Sequence, residues 1–138
     1  EVEAAVSARS RAMALEAELA KQRAVVAILA DDALVAEALA HPETTDPVSR
    51  KLDRLRDETQ GAVIYLLDRR GVALAASNWD EPDSFVGSDY SFRRYFTDAM
   101  RNTTAQQFAL GTVSHKPGLY LSHSVTSGGA VVGSSSSR

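Results

Sequence analysis

Apolar positions in the first thirty residues recur with a helical period. Leu15, Leu19, Gln22, Val26 and Leu29 follow one another at spacings of four and three, the stripe of a helix that packs along one side. No Pro or Gly interrupts residues 1 to 40, where Ala, Leu, Glu, Lys and Arg dominate, so intrinsic propensity favours helix as well. Thirty helical residues make a rod of about 45 Å, longer than a small domain needs for its own core. The stripe is covered either by a seam with a second copy of the helix or by lying across its own domain.

Asp31 and Asp32 are N-cap candidates for a second helical piece, Ala33 to Ala40, which His41-Pro42 ends because the residue before proline is driven out of the helical region. A third helix follows Pro47, with Val48, Leu52 and Leu55 on its apolar side. After Gly61 the pattern changes. The run Ala62 to Leu67, the turn Asp68-Arg69-Arg70-Gly71 and the run Val72 to Ser77 read as a hairpin, expected at the centre of the sheet. Asn78 to Ser88, with Asp, Pro and Gly, reads as a loop. Ser91 to Asn102 reads as a helix with Phe92, Tyr95, Phe96 and Ala99 on one face. Gln107 to Val113 and Leu119 to Val125 are strands joined through residues 114 to 118, whose Pro-Gly pair has turn chemistry.

Gly128 to Gly133 begins like a last hairpin, but four serines at Ser134 to Ser137 lack the apolar face of a central strand. The tail is therefore expected to be frayed, substituted or a cloning scar. Helices first, then a hairpin, a helix and more strands predict an α+β fold with a mostly antiparallel sheet of about five strands.

Length and charge narrow the function. The 138 residues suit one ordinary domain, and the absence of cysteine removes disulfides, thiolate zinc sites and thiol nucleophiles. No run of eighteen apolar residues occurs, so a membrane anchor is expected only outside this segment. The net charge of -3 is uneven, with five cations against one acid in residues 90 to 138. An acidic chain with few aromatics argues against nucleic acid as a partner, whereas a small anion needs only two or three cations.

Enzyme signatures are missing: no G-x-S-x-G elbow, no P-loop and no H-E-x-x-H, and nothing implies a cofactor. His41, His115 and His123 include no i, i+4 pair, which argues against a metal site. In Ser114-His115 and Ser122-His123, neighbours on a strand point to opposite faces, so neither pair is a nucleophile with its base. The informative segment is Tyr90 to Phe96, where Arg93 and Arg94 stand among four aromatics. It is either an apolar helix face with solvated arginines or a carboxylate site. In the second reading a helix N-terminus near Ser91 and Phe92, a planar guanidinium and a tyrosine hydroxyl converge.

At these residues the sequence resembles the periplasmic sensor region of C4-dicarboxylate sensor histidine kinases of the DctB type, in the double-Cache, PAS-like class. The matching words are Ala76-Ser77-Asn78-Trp79, Ser84-Phe85-Val86-Gly87, Tyr90-x-Phe92-Arg93-x-Tyr95-Phe96, Ala109-Leu110-Gly111-Thr112-Val113-Ser114 and Pro117-Gly118-Leu119-Tyr120-Leu121-Ser122. Gln60 to Gly71 also looks like the family's first strand and turn. The resemblance implies a non-catalytic membrane-distal receptor module, with residues 1 to 45 as a dimerising helical stalk and 46 to 138 as a PAS-like (Cache) ligand-binding module. It implies a homodimer, a membrane-anchored whole protein, and succinate, fumarate or malate as ligand. Carried over, Arg93 grips one carboxylate beside Tyr90. Thr112, Ser114, Tyr120 and Ser122 line the strands, the amides near Ser91 and Phe92 add donors, and Arg138 stands where the family has a lysine for the other carboxylate. Arg94 replaces a family proline. The alternatives are a Cache domain of a chemoreceptor or cyclase binding another anion or an amino acid, with Asp89 to meet an ammonium, and a structural dimerisation module.

Overall fold

The computed structural model describes residues 2–59, 62–111, 115 and 117–136. Helix α1 (Val2–Ala30) leads through Asp31-Asp32 into α2 (Ala33–Ala40), a single 3-10 turn (Pro42–Thr44) and α3 (Asp46–Glu58). Asp32 caps α2 as its sequence position suggested: its carboxylate accepts the Leu34 amide at 2.7 Å, satisfying one of the orphan donors of the first turn. His41, in a non-helical conformation, ends α2.

Strands β1 (Val63–Leu67) and β2 (Ala73–Ala76) form the hairpin, followed after a long loop by α4 (Arg94–Asn102), β3 (Thr104–Leu110), β4 (Pro117–Ser124) and β5 (Ala130–Ser136). All pairings are antiparallel, in the order β2-β1-β5-β4-β3. Two expectations are corrected here. The hairpin lies at one side of the sheet with β2 on the edge, because the last strand inserts beside β1. Ser134 to Ser136 of the serine run belong to that inserted strand: β5 pairs with β1 as far as Ser134 and with β4 as far as Ser136. Its first half supplies Ala130, Val131 and Val132 to the core, and its serines are carried in by the pairing. Pro117 and Gly118, read as turn residues, begin β4.

The sheet divides the core. On one face Val26, Leu29 and Ala30 of α1 pack with Val35, Ala38, Val48 and Leu52 against Ile64, Leu66 and Val131. On the other face Tyr65, Leu67, Ala130, Val132 and Tyr120 meet Tyr95 and Phe96 of α4 and Phe85 and Tyr90 of the loop. The α1 stripe is covered only in part: Gln22, Val26 and Leu29 are buried, whereas Val6, Met13 and Leu15 are exposed. The second half of α1 lies across its own sheet; the first half extends past it.

Candidate functional site

The loop between β2 and α4 is built to bring side chains to the second face of the sheet. Asn78 is buried, its carboxamide oxygen accepting the Phe85 amide at 3.1 Å and its NH2 group donating to the Asp83 carbonyl at 3.2 Å. This closes the loop and drops Phe85 into the core. Gly71, at φ +87°, takes a left-handed turn that other residues resist, and a Cβ on it would stand 2.7 Å from the Ser91 Cα. That close approach lets the Tyr90 amide donate to the Gly71 carbonyl at 2.8 Å, fixing Tyr90 over Tyr65.

The result is an aromatic box. Tyr65 lies edge-on to Phe85 at 5.2 Å and beside Tyr90 at 5.4 Å, and Tyr95 stacks on Tyr120 at 4.9 Å and 13°. The Tyr65 and Tyr95 hydroxyls are 2.7 Å apart and satisfy each other. Burial pushes the phenols of Tyr65, Tyr90 and Tyr95 above their ordinary value, so they act as neutral hydrogen-bonding groups at any physiological pH.

Arg93 stands at the rim. Its Nη2 donates to the Leu110 carbonyl, and its guanidinium carbon lies 4.9 Å from the Phe92 ring centroid and 5.9 Å from that of Tyr120. Two buried donors in this region have no partner among the described residues, the Tyr90 hydroxyl and the Arg93 Nε. Buried polar groups are almost always paired, so each of these donors calls for an acceptor.

Of the residues singled out in the sequence, Tyr90, Arg93 and Tyr120 come together. Thr112, Ser114 and Arg138 lie outside the described residues. Ser122 shares the face of Tyr120, but its hydroxyl donates to the Tyr95 carbonyl at 2.7 Å, so it ties α4 to β4 instead of offering a free donor. Ser91 and Phe92 do not open a helix. Helix α4 begins at Arg94 because Ser91 and Phe92 are taken up in a separate turn: Asp89 accepts the Ser91 amide at 2.8 Å and the Arg93 amide donates back to the Tyr90 carbonyl at 3.0 Å. Phe92 is 60 % exposed and forms a platform for Arg93.

Sequence reasoning missed Gln107, which accepts the Tyr95 amide at 3.0 Å and so fixes the first turn of α4; its alternation with Ala105 and Ala109 on β3 was the available signal. It also missed Tyr65 as the floor of the box. Ser134, 5 % exposed and directly opposite Tyr120 in the β4–β5 register, adds a hydroxyl-bearing residue on the same face. Asp89 is exposed and engaged by Ser91, away from the box. No group of three or more His, Asp or Glu that could hold a metal occurs among the described residues, and no described helix is long and apolar enough to cross a membrane.

No family model matches the chain. It is 49 % identical over 130 residues to the C4-dicarboxylate transport sensor protein DctB of Rhizobium meliloti (strain 1021), covering 93 % of this chain and 21 % of that protein. It is 38 % identical over 102 residues to the DctB protein of Pseudomonas aeruginosa, covering 70 % and 16 %. The chain therefore spans about a fifth of the length of the curated relatives it matches. Among solved structures it superimposes on the V. cholerae histidine kinase DctB sensor domain with a TM-score of 0.83 and 26 % identity, covering 97 % of this chain and 54 % of that one. The E. coli DcuS sensor domain shares the fold, with a TM-score of 0.70 at 13 % identity over 89 % of this chain and 90 % of that one. By sequence and by fold the chain is a DctB-like sensor module.

Proposed function

We propose that this module is the periplasmic, membrane-distal ligand-binding part of a two-component sensor histidine kinase, and that its ligand is a C4-dicarboxylate such as succinate, fumarate or malate. The observation that carries the reading is the pair of orphaned donors, Tyr90 Oη and Arg93 Nε, at the mouth of a buried aromatic box. A carboxylate is the acceptor that suits them. It takes a guanidinium edge by two parallel bonds and still accepts from a phenol. The names of the relatives, a C4-dicarboxylate transport sensor protein in two organisms, support the ligand class.

The second carboxylate is assigned to Arg138, with Thr112 and Ser114 as further donors. Micromolar affinity needs about 8 kcal/mol, which four to six charge-assisted hydrogen bonds provide after the entropy of association is subtracted. An acetate-sized ligand leaves one cation without its partner and binds far more weakly. The exposed half of α1, with Val6, Met13 and Leu15, packs against the same segment of a second copy, and the kinase and membrane anchor belong to the whole protein. An amino-acid ligand is disfavoured because Asp89, the acid the sequence offers for its ammonium, is exposed and accepts the Ser91 amide.

A thermal-shift screen with succinate, fumarate, malate, acetate and several amino acids tests the reading, since a ligand bound only by the folded state raises Tm. The expected result is a rise with the diacids alone, abolished by Arg93→Ala. A chain whose Tm responds to none of them, or an Arg93→Ala variant that responds as the parent does, refutes it.

A further inference from the structure

Helix α1 contacts the sheet over β4 and β5, and among the described residues of α1 one polar side chain is buried against it. Gln22 is 6 % exposed and its Nε2 has no hydrogen-bond partner among the described residues. It lies directly on Gly133. A Cβ at that glycine would stand 3.1 Å from both Cγ and Nε2 of Gln22 and 3.2 Å from Cγ1 of Val26, so the carboxamide rests on bare β5 backbone.

Both features are unexpected for a merely structural contact. A Leu at position 22 fills a similar volume without burying two unpaired N–H donors; buried polar groups are almost always paired, and a shifted α1 gives this carboxamide a partner. The strand beneath is equally particular. β5 is the middle strand, held on both sides by β1 and β4. Gly133 faces α1, and the next residue, Ser134, faces the aromatic box opposite Tyr120. Successive strand residues point to opposite faces, so one peptide bond separates the floor of the box from the seat of α1.

We propose that Gln22 is a positioning residue that couples occupancy of the box to the position of α1. This rests on the reading of the box as a ligand site. An occupant of the box bears on β5 from the Ser134 side. Close-packed contacts do not absorb such a displacement, and with no Cβ between them β5 passes it straight to the Gln22 carboxamide. Coupling of this kind needs an element with two arrangements; here they are α1 with the Gln22 amide orphaned and α1 shifted so that the amide is paired. Helix shifts at packed interfaces are typically about 1–2 Å.

The chain has no cysteine, so nitroxide labels can be placed on Ala20→Cys of α1 and Arg101→Cys of α4, both exposed and on opposite faces of the sheet. Succinate binding is followed in parallel by calorimetry. In the labelled parent, succinate moves the mean inter-label distance by about 1–2 Å. In a Gln22→Leu background the displacement vanishes, while the succinate Kd stays within about threefold, a small change on the free-energy scale, and Tm does not fall. A parent that binds succinate without displacement overturns the proposal, as does a Gln22→Leu variant that still shows it. If calorimetry detects no succinate binding, the ligand reading fails separately, and the ligand-free distributions decide: two populations in the parent and one in Gln22→Leu support the coupling, and identical single populations overturn it.

Discussion

Tyr90 is held in place by backbone and packing, not by its hydroxyl. Its amide bonds Gly71 and its ring packs on Tyr65 and Phe85, so loss of the oxygen leaves the fold intact. A buried hydroxyl without a partner costs about 1–3 kcal/mol. Tyr90→Phe is therefore expected to melt at the same temperature as the parent or higher, while its affinity for succinate falls by about tenfold, one hydrogen bond's worth. Melting curves and titration calorimetry on the same variant check both halves. A fall in Tm with unchanged affinity would make Tyr90 a packing residue only. Because burial keeps the phenol neutral, this contribution is flat through neutral pH.

At the scale of elements, what was legible depended on whether a signal was local. The α2 cap, the stop at His41-Pro42 and the start of α3 near Pro47 are written in neighbouring residues, and the structure places these boundaries within a residue or so of that reading. Helix α4 starts three residues later than its apolar pattern suggested, because Asp89 and the Tyr90 carbonyl, outside the helix, hold Ser91 and Phe92 in a turn of their own. The first half of β5 was legible as the start of a hairpin, but its continuation was not: a strand's stability comes from its neighbours across the sheet, and nothing in the serines says that β4 pairs with Ser134 to Ser136 and β1 with Ser134. Likewise Tyr90, Arg93 and Tyr120 were identified through motif words, whereas the partners that shape the box, Tyr65 and Gln107, arrive by cross-strand packing.

The α2 cap also sets a pH dependence. Burial opposes the charge on Asp32, but its contact with Lys51 and the amides of Leu34 and Val35 outweigh that and hold its carboxyl below the usual value. A carboxyl lowered in the folded state contributes stability that is present above its unfolded value near 4 and is lost as pH falls through the lower folded value. Asp32→Asn, which keeps a capping oxygen, is expected to flatten this acid limb. Asp32→Ala removes the cap as well and costs about 1 kcal/mol more. Denaturant melts across about pH 2 to 6 measure the two effects; an acid limb unchanged in Asp32→Asn assigns it to other groups.

Across the whole molecule, α1 does two jobs with two halves. From Gln22 onward its stripe is built into the domain, and before Leu15 it touches nothing in its own chain that buries it. A free helix of that length is marginal in water, so the first half persists only by fraying in part or by gaining a partner. Deletion of residues 1–14 separates the two halves. Stability lives in the buried half, so Tm should move by no more than about 2–4 °C, the shift that roughly 1 kcal/mol produces in a domain of this size. The self-association proposed above belongs to the exposed half, where Val6 and Met13 are removed and Leu15 is left at a frayed end. On that proposal sedimentation velocity should show a concentration-dependent dimer in the parent and monomer in the deletion variant. Succinate affinity should stay unchanged, since Tyr90, Arg93 and Tyr120 lie on the far face of the sheet. A deletion variant that melts much lower would instead make the rod part of the domain's own core, and one that still dimerises would place the seam on the sheet.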